Sequence, residues 1–293
     1  MKKLHLVQMK IGLWEFVNKG LIIKVNSDTF TVLCEGITYD LKARGKFRNI
    51  KLKPVVGDNV IIDNSKKVIE KILDRKNYLD RPPVANIDTA LIITSIVSPD
   101  INLTLLDKLI SIITINHIEP VIVFTKLDLA NKEELNNIKK LSKYYESIGI
   151  KVFNNKKVNK IKKYLKNKIV TLCGQTGAGK STLINKFDKS LNLETKEISQ
   201  ALGRGVHTTR IVSLYEIDNF YIVDTPGFSS IDIDNYSIEE IQKGFIEFNN
   251  IKCKFNNCKH INELGCNIID NLNKGKILKS RYDNYIKFIK ESK

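Results

Sequence analysis

The sequence predicts a multi-domain α/β protein with an amino-terminal β-barrel, and three observations support this. Residues 1–80 alternate polar and apolar side chains in short runs, as half-buried strands do. Residues 81–235 carry continuous apolar runs separated by helical stretches, which is typical of a mostly parallel sheet with helices on both faces. Residues 236–293 combine helical patterns with a cluster of cysteine and histidine. We take these three ranges as the predicted domains.

The first domain is expected to be a closed five-stranded barrel. Its strand-like runs are GLIIKV, TFTVLC, ITYDLKA and DNVIID, separated by turn signals such as NSD and VVGD. Several short strands in so small a segment favour an OB-fold, and an SH3-like barrel would give much the same pattern. RPPVAN, at residues 81–86, interrupts the pattern and is expected to be a linker.

The central domain alternates buried strands with helices. Helical patterns such as LTLLDKLISIITINH and NKEELNNIKKLSKYYESI lie between most of the strand-like runs. The runs themselves are ALIITSIV (90–97), VIVFTKLD (121–128), GIKVFN (149–154), KIVTLCG (168–174) and FYIVDTPG (220–227).

The chain of 293 residues has a net charge of +16, which favours a polyanionic partner, most simply RNA. Lys, Asn and Ile are abundant throughout, however, and an AT-rich genome would give the same composition. Residues 151–168 contain eight lysines and no acid, a pattern more typical of a solvated helix face, although it could add to phosphate attraction. No apolar run is long enough to span a membrane or to form a signal peptide, so a cytoplasmic location is expected.

The segment GQTGAGKST, residues 174–182, fits the phosphate-loop pattern G-x-x-x-x-G-K-[ST] between a strand and a helix. Lys180 is expected to reach the outer phosphates and to act in catalysis, and Ser181 to bind Mg²⁺. In DTPG, Asp224 is placed to hold a magnesium-bound water and Gly227 to contact the terminal phosphate. The predicted nucleotide contacts in the loop are Gly174, Gln175, Thr176, Gly177, Ala178, Gly179, Lys180, Ser181 and Thr182.

A second motif, TKLD, consists of Thr125, Lys126, Leu127 and Asp128 and is expected to read the base. The carboxylate of Asp128 can accept hydrogen bonds from the N1–H and the exocyclic amine of guanine, which adenine does not offer. Lys126 would lie along the ring. Thr125 replaces the usual Asn, so looser bracing of the loop or lower affinity is expected. The Ser-Ala pair that normally backs the base is replaced by VFNNKKVNK, where Asn154 or Asn155 would serve through the backbone.

The base-reading motif precedes the phosphate loop, which is the reverse of the usual GTPase order. A circularly permuted GTPase fold would have this order. Such a permutation is feasible because the chain ends of compact domains often lie close together. The segment after DTPG then runs directly into the carboxy-terminal domain. Nucleotide state could therefore bias the position of that domain, so the order predicts a switch.

Nearly the whole chain resembles the small-ribosomal-subunit biogenesis GTPases of the RsgA family. The resemblance rests on PVVGD (54–58), RPPVANID (81–88), GQTGAGKSTLIN (174–185), GRGVHTTR (203–210), DTPGF (224–228), CKFNNCKHINELGC (253–266) and SRYDNY (280–285). It implies a GTP hydrolase that binds the small (30S) ribosomal subunit and its 16S rRNA late in assembly and is stimulated by the subunit. It also implies GTP and GDP as ligands, Mg²⁺ with GTP, one structural Zn²⁺, no membrane and a monomer.

Hydrolysis needs a group that positions water, and Phe228 stands where many GTPases have Gln. GRGVHTTR occupies the place of the first switch, so Thr208 or Thr209 is expected to close on Mg²⁺ and the terminal phosphate. His207 is the hypothesis for the water-positioning group, and the resemblance points the same way. The alternative is a histidine that binds only RNA or solvent.

Three of the five cysteines cluster with a histidine: Cys253, Cys258, His260 and Cys266 are separated by four, one and five residues. Three thiolates and an imidazole suit a closed, structural, tetrahedral zinc site. The alternative is a set of reduced free thiols. Cys34 and Cys173 stand in apolar runs and are expected in the core.

Two rival functions stay open from the sequence. One is an RNA-binding assembly factor with a degenerate GTPase, suggested by Thr125 and the missing Ser-Ala pair. The other is a nucleotide kinase using the same phosphate loop, which the reversed motif order disfavours.

Overall fold

The computed structural model describes residues 18–45, 47, 52–80, 83–189, 212–223 and 232–292. Within these residues, no helix is both long and apolar enough to cross a membrane. Three bodies follow one another along the chain: a barrel, a six-stranded sheet flanked by helices, and a helical carboxy-terminal part.

The amino-terminal body is a closed barrel, as predicted. Its strand order is β1-β2-β3-β5-β4, with β1 pairing with β4 and β3 running parallel to β5. Inward-facing side chains such as Ile22, Val32 and Ile69 are fully buried at alternating positions. The strands are β1 Asn18–Asn26, β2 Thr29–Cys34, β3 Ile37–Ala43, β4 Asn59–Asp63 and β5 Val68–Ile72.

The prediction of a plain linker at RPPVAN was wrong. Its residues Pro83–Ala85 form strand β7, which pairs with β6, Tyr78–Asp80. The backbone of β7 also bridges to the barrel, because the N–H of Ala85 donates to the carbonyl of Val56 at 2.9 Å. Gly57 is required there, since a Cβ at this position would lie 2.0 Å from the Ala85 oxygen. The junction is therefore an ordered contact between barrel and sheet.

The central sheet has the order β10-β9-β8-β11-β13-β12, and its first five strands are parallel. Each predicted strand is present, but β10 lies at the edge of the sheet and is exposed or only partly buried rather than buried on both faces. The sixth strand, β12, was not predicted; it is a four-residue edge strand that pairs antiparallel with β13. The strands are β8 Thr89–Ser95, β9 Glu119–Thr125, β10 Lys151–Asn154, β11 Ile169–Cys173, β12 Leu214–Ile217 and β13 Phe220–Val223.

Helices cover both faces of this sheet. On one face, α1 (Leu103–Ile115) and α2 (Lys132–Ser147) pack against alternate residues of β8 and β9, such as Ile92 and Ile122. On the other face, α3 (Val158–Leu165) and α4 (Lys180–Phe187) pack against the intervening residues. The continuous apolar character of the strands follows from this two-sided burial.

The carboxy-terminal part packs against the α1 face. It contains α5 (Ile238–Gly244), α6 (Asn267–Asn273) and α7 (Lys279–Glu291). Its aromatic residues, including Phe245, Phe288 and Tyr285, share one core with the residues of α1. Gly244 fits closely there, since a Cβ would lie 2.1 Å from the Ser111 hydroxyl of α1.

Candidate nucleotide and metal sites

The two nucleotide motifs meet at the carboxyl edge of the parallel sheet. The strand register places Thr125 beside Ser95, Phe124 beside Asn154, and Ile92 beside Cys173. Both TKLD and the phosphate loop follow directly from strand ends at this edge, although the loop comes later in the chain. Ligands of open α/β sheets bind at this edge.

The phosphate loop has the backbone that its glycines allow. Gly174 has φ +128° and lies so close to β8 that a Cβ would be 2.1 Å from the Ile93 oxygen. Gly177 and Gly179 also have positive φ, and Gly179 is the N-cap of α4. The loop therefore delivers its backbone N–H groups to a helix N-terminus, which is an arrangement suited to phosphate.

Lys180 bends back over the loop. Its Nζ donates to the carbonyl oxygens of Gly174 at 2.7 Å and Gln175 at 2.9 Å. Burial lowers the pKa of Lys180 from its ordinary value, because desolvation disfavours the charged amine. An anionic ligand beside Lys180 would stabilise that charge. Ser181 follows in the first turn of α4 and is buried. Cys173, just before the loop, lies in the core as expected, and burial raises its pKa to about 12.

Thr125 connects the two motifs directly. Its Oγ1 donates to the carbonyl oxygen of Ala178 at 2.6 Å, and both residues are almost completely buried. The looser bracing expected from the replacement of Asn is therefore not seen. The shorter side chain reaches the phosphate loop because β9 and β11 are separated by a single strand.

The rest of TKLD lies at the mouth of the same edge. Lys126 has φ +58°, and its Nζ donates to the carbonyl oxygen of Ser98 in the loop after β8. Pro99 of that loop contacts the position of Gly177, with the Pro99 Cδ 3.7 Å from where a Cβ would be. Asp128 is exposed and has its carboxylate available to a ligand. The Ser98–Pro99 loop was not predicted as part of the site.

The loop that replaces Ser-Ala follows β10. The N–H of Asn155 donates to the carbonyl of Phe124 at 3.0 Å, which fixes this loop next to TKLD. The side-chain oxygen of Asn155 is buried and accepts no hydrogen bond from the described residues. Asn154 instead accepts from the N–H of Lys156 at 3.1 Å. Asn154 and Asn155 are the two candidates for a contact with the base, and only Asn155 has a side-chain oxygen without a hydrogen bond among the described residues.

Five predicted site residues lie outside the described residues: His207, Thr208, Thr209, Asp224 and Gly227. Strand β13 runs parallel to β11, pairing Val223 with Thr171, and Asp224 is the next residue in the chain.

The cysteine and histidine side chains of the carboxy-terminal part converge as predicted. The Sγ of Cys253 lies 3.9 Å from that of Cys266, and each lies 3.5 Å from Nδ1 of His260. The ligand atoms of these residues and of Cys258 all lie within 4.8 Å of one another. A tetrahedral zinc ion with Zn–S bonds of about 2.3 Å needs sulfur atoms about 3.8 Å apart. The four side chains fit that ion.

The backbone around this cluster is held by hydrogen bonds from its neighbours. Tyr282 donates to the carbonyl of His260 at 2.8 Å, and Tyr285 to that of Lys259 at 2.6 Å. Glu263 accepts from the backbone N–H groups of Lys259 and Ile261. Burial acts to raise the pKa of Glu263, but these N–H groups lower it overall. The loop is thus arranged by α7 and by its own carboxylate.

A buried ionic network joins α7, the helix that packs against the cysteine and histidine cluster, to the central domain. Arg281 of α7 is fully buried and donates to Asp107 of α1 at 2.9 Å and to both oxygens of Glu247 at 2.8 Å. Asp107 also accepts from Tyr145 at 2.8 Å and from Asn284 at 2.6 Å. These residues were missed from the sequence.

Comparison with known proteins identifies the family. The sequence profile of the RsgA GTPase matches residues 72–234, and that of the RsgA N-terminal domain matches residues 19–68. The chain belongs to the RsgA GTPase family. Membership makes it a GTP-hydrolysing enzyme and gives no support to a nucleotide kinase.

Members of the RsgA family resemble the chain over most of its length. The small ribosomal subunit biogenesis GTPase RsgA 2 of Oceanobacillus iheyensis is 41% identical over 283 residues, covering 93% of this chain and 97% of the relative. The small ribosomal subunit biogenesis GTPase RsgA of Staphylococcus haemolyticus is 43% identical over 284 residues, covering 93% and 96%.

Two solved structures share the fold of this chain. The crystal structure of YjeQ from Thermotoga maritima has a TM-score of 0.81 and 33% identity and covers 94% of this chain and 98% of its own. YloQ, described as a circularly permuted GTPase, has a TM-score of 0.80 and 29% identity and covers 97% of each chain. The central domain is thus a circularly permuted GTPase, as the motif order predicted.

Proposed function

We propose that this GTPase binds the small (30S) ribosomal subunit during late assembly, hydrolyses GTP when the subunit stimulates it, and is then released. The observation that carries the proposal is the hydrogen bond from Thr125 to Ala178. It joins the base-reading motif to the phosphate loop at one edge of the sheet, which supports a working GTPase rather than a degenerate one. The relatives' names supply the ribosomal subunit as partner.

In the proposed site, the phosphate loop binds the phosphates through the backbone N–H groups of residues 174–182. The amine of Lys180 would leave its two loop carbonyls, 2.7 and 2.9 Å away, and contact the outer phosphates. Ser181, with Asp224 acting through water, would hold Mg²⁺, which supplies charge neutralisation on the phosphate oxygens when bound.

Guanine would lie between Lys126, Asp128 and the loop at Asn155. The exposed carboxylate of Asp128 would accept from N1–H and the exocyclic amine, and Leu127 would contribute backbone contact. Guanine also has a carbonyl oxygen at position 6 that needs a donor. The N–H of Asn155 already donates to Phe124, so the side-chain NH₂ of Asn155 is the candidate to supply it.

The water-positioning role stays with His207, and Thr208 or Thr209 would close on the terminal phosphate. The segment that begins at DTPG leads into Ile233–Asn235, which precedes α5. Because α5 and α7 pack against α1, a movement of that segment would be transmitted to the carboxy-terminal part.

We propose domain boundaries at 1–80, 81–235 and 236–293. The barrel and the metal-binding part would contact 16S rRNA, and Cys253, Cys258, His260 and Cys266 would hold one Zn²⁺ that fixes the loop. Monomeric action in the cytoplasm, without a membrane, is part of the proposal.

The test is turnover of GTP and of ATP by the full chain, each with and without purified small subunits. Strong stimulation of GTP hydrolysis alone would support the proposal. Tight subunit binding with no stimulation would instead favour the RNA-binding factor with a degenerate GTPase. Equal hydrolysis of ATP would refute the role of Asp128.

A further inference from the structure

The positive charge of the chain is concentrated in one segment. Residues 151–189 contain eleven lysines and a single acid, Asp188, so they carry ten of the sixteen net charges. A genome-wide bias toward lysine would spread the excess along the chain. It does not explain why these 39 residues hold most of it.

In the structure the two helices of this segment, α3 and α4, lie on one face of the central sheet. The segment includes β10, α3, β11, the phosphate loop and α4, and α3 packs inward through Ile161 and Leu165. The carboxy-terminal helices cover the opposite face. The exposed lysines at and beside α3 form what we call the lysine face: Lys156, Lys157, Lys160, Lys163 and Lys166.

No residue of the lysine face forms an ion pair with an acid among the described parts of the chain. Their neighbours differ in this respect, because Lys162 pairs with Asp218 at 3.1 Å and Lys168 with Glu119 at 2.9 Å. The five charges therefore take no part in the ion pairs of the described part of the fold.

The lysines at the N-terminal end of α3 oppose the stability of this helix, whereas Lys163, in its last turn, does not. Lys157 is the N-cap of α3 without a side-chain hydrogen bond, and no acid stands in the first turn. Positive charge at a helix N-terminus is unfavourable. Helix α2 shows the usual solution, with a capping box from Asn131 to Glu134. A break of local rules without structural gain points to a binding role.

The chemistry of this face fits a nucleic acid better than a protein. None of the large apolar side chains exposed in the described chain lies in residues 151–189. Protein interfaces are built around buried aromatic and apolar anchors, whereas a phosphate backbone is bound by point charges.

We propose that the lysine face binds the phosphate backbone of an RNA strand of the small subunit, as a contact made by the GTPase domain itself. The inference rests on the proposed function, because it takes the subunit as the partner. It adds a third RNA contact on the sheet face opposite the carboxy-terminal part.

The experiment measures the Kd of the full chain for purified small subunits between 0.05 and 0.4 M KCl, over which the Debye length falls from about 14 Å to about 5 Å. One variant replaces Lys157, Lys160, Lys163 and Lys166 by Gln. The control variant replaces the four exposed lysines of α2, on the other face: Lys132, Lys139, Lys140 and Lys143. Both variants lose the same charge.

If each of the four lysines contacts a phosphate, the slope of log Kd against log[KCl] falls by about 3, and binding weakens at least about tenfold at 0.1 M KCl. The α2 control should stay within about threefold of wild type. Equal behaviour of the two variants would overturn the inference while leaving the proposed function intact. Failure of the wild-type chain to bind subunits would refute the proposed function and, with it, this contact.

The class of partner is tested separately with a photocrosslinking residue at position 163. The inference predicts a crosslink to rRNA on the bound subunit. A crosslink only to a ribosomal protein would overturn it, because the face would then read an acidic protein surface.

Discussion

The buried network around Arg281 predicts a large loss of stability in Arg281→Met. Methionine keeps most of the volume, but it leaves the carboxylates of Asp107 and Glu247 without their cation. Both carboxylates are nearly inaccessible to water, and breaking a buried pair of this kind costs about 3–5 kcal/mol. Tyr145 and Asn284 still donate to Asp107, which favours the lower end of this range.

Calorimetry of the full chain measures the effect. For a protein of this size, about 3 kcal/mol corresponds to a fall in Tm of roughly 6–12 °C. The control is Lys279→Met, two residues earlier in α7. The ion pair of Lys279 with Asp283 is exposed. It should change Tm by less than about 2 °C, because exposed pairs contribute little.

The loss should also depend on pH. In the wild type, burial raises the pKa of Glu247, but the Arg281 guanidinium lowers it overall. The stabilisation from Glu247 is therefore present above its ordinary pKa and disappears as pH falls through the lowered value. In Arg281→Met, burial of the Glu247 carboxylate is opposed only by its hydrogen bonds with Tyr144 and the backbone, so its folded pKa rises and protonation relieves the variant. The difference in Tm should shrink between pH 7 and pH 5.

A Tm within 2 °C of wild type at pH 7 would refute the reasoning. So would a difference that stays constant down to pH 5, since the lost stability would then come from packing rather than charge.

Three further predictions concern the sites. Thr125→Val should weaken GTP binding by about tenfold because it leaves a buried carbonyl of the phosphate loop unpaired, whereas Thr125→Ser should bind within about threefold of wild type in a calorimetric titration. Gly174→Ala should abolish GTP binding and lower Tm far more than Gly149→Ala. Gly149 also has a positive φ, but a Cβ there would meet open space. Equal Tm values would show that the close approach of Gly174 to β8 is unimportant. Cys253→Ser should reduce zinc content from one per chain to near zero by metal analysis, and chelation should then lower Tm in the wild type only.

Much of the site could be predicted because its signals are local. The phosphate loop needs glycines at fixed positions, and Gly174 and Gly179 both adopt positive φ. The metal ligands lie within fourteen residues of one another, so the chain itself brings them close. Such features depend little on the rest of the fold.

The errors concern contacts between distant parts of the chain. Strand β7 forms at the expected linker because the N–H of Ala85 donates to the carbonyl of Val56, 29 residues earlier in the chain. The bracing by Thr125 depends on Ala178, 53 residues later, and no local pattern predicts it. The edge strand β12 is only four residues long and is defined by its hairpin with β13.

The position of Arg281 in the sequence does indicate that it is buried. It is four residues before Tyr285 and seven before Phe288, so it stands within the apolar stripe of α7. A charge in such a stripe predicts a buried partner, but the identity of that partner, on α1, comes only from the fold.

If the protein is a switch, its nucleotide state controls its affinity for the small subunit. The Kd of the full chain for purified small subunits is compared in the presence of a non-hydrolysable GTP analogue and of GDP. Binding should be at least about tenfold tighter with the analogue, equivalent to about 1.4 kcal/mol. Equal affinity in both states would contradict the switch and leave an RNA-binding factor whose GTPase does not govern its release.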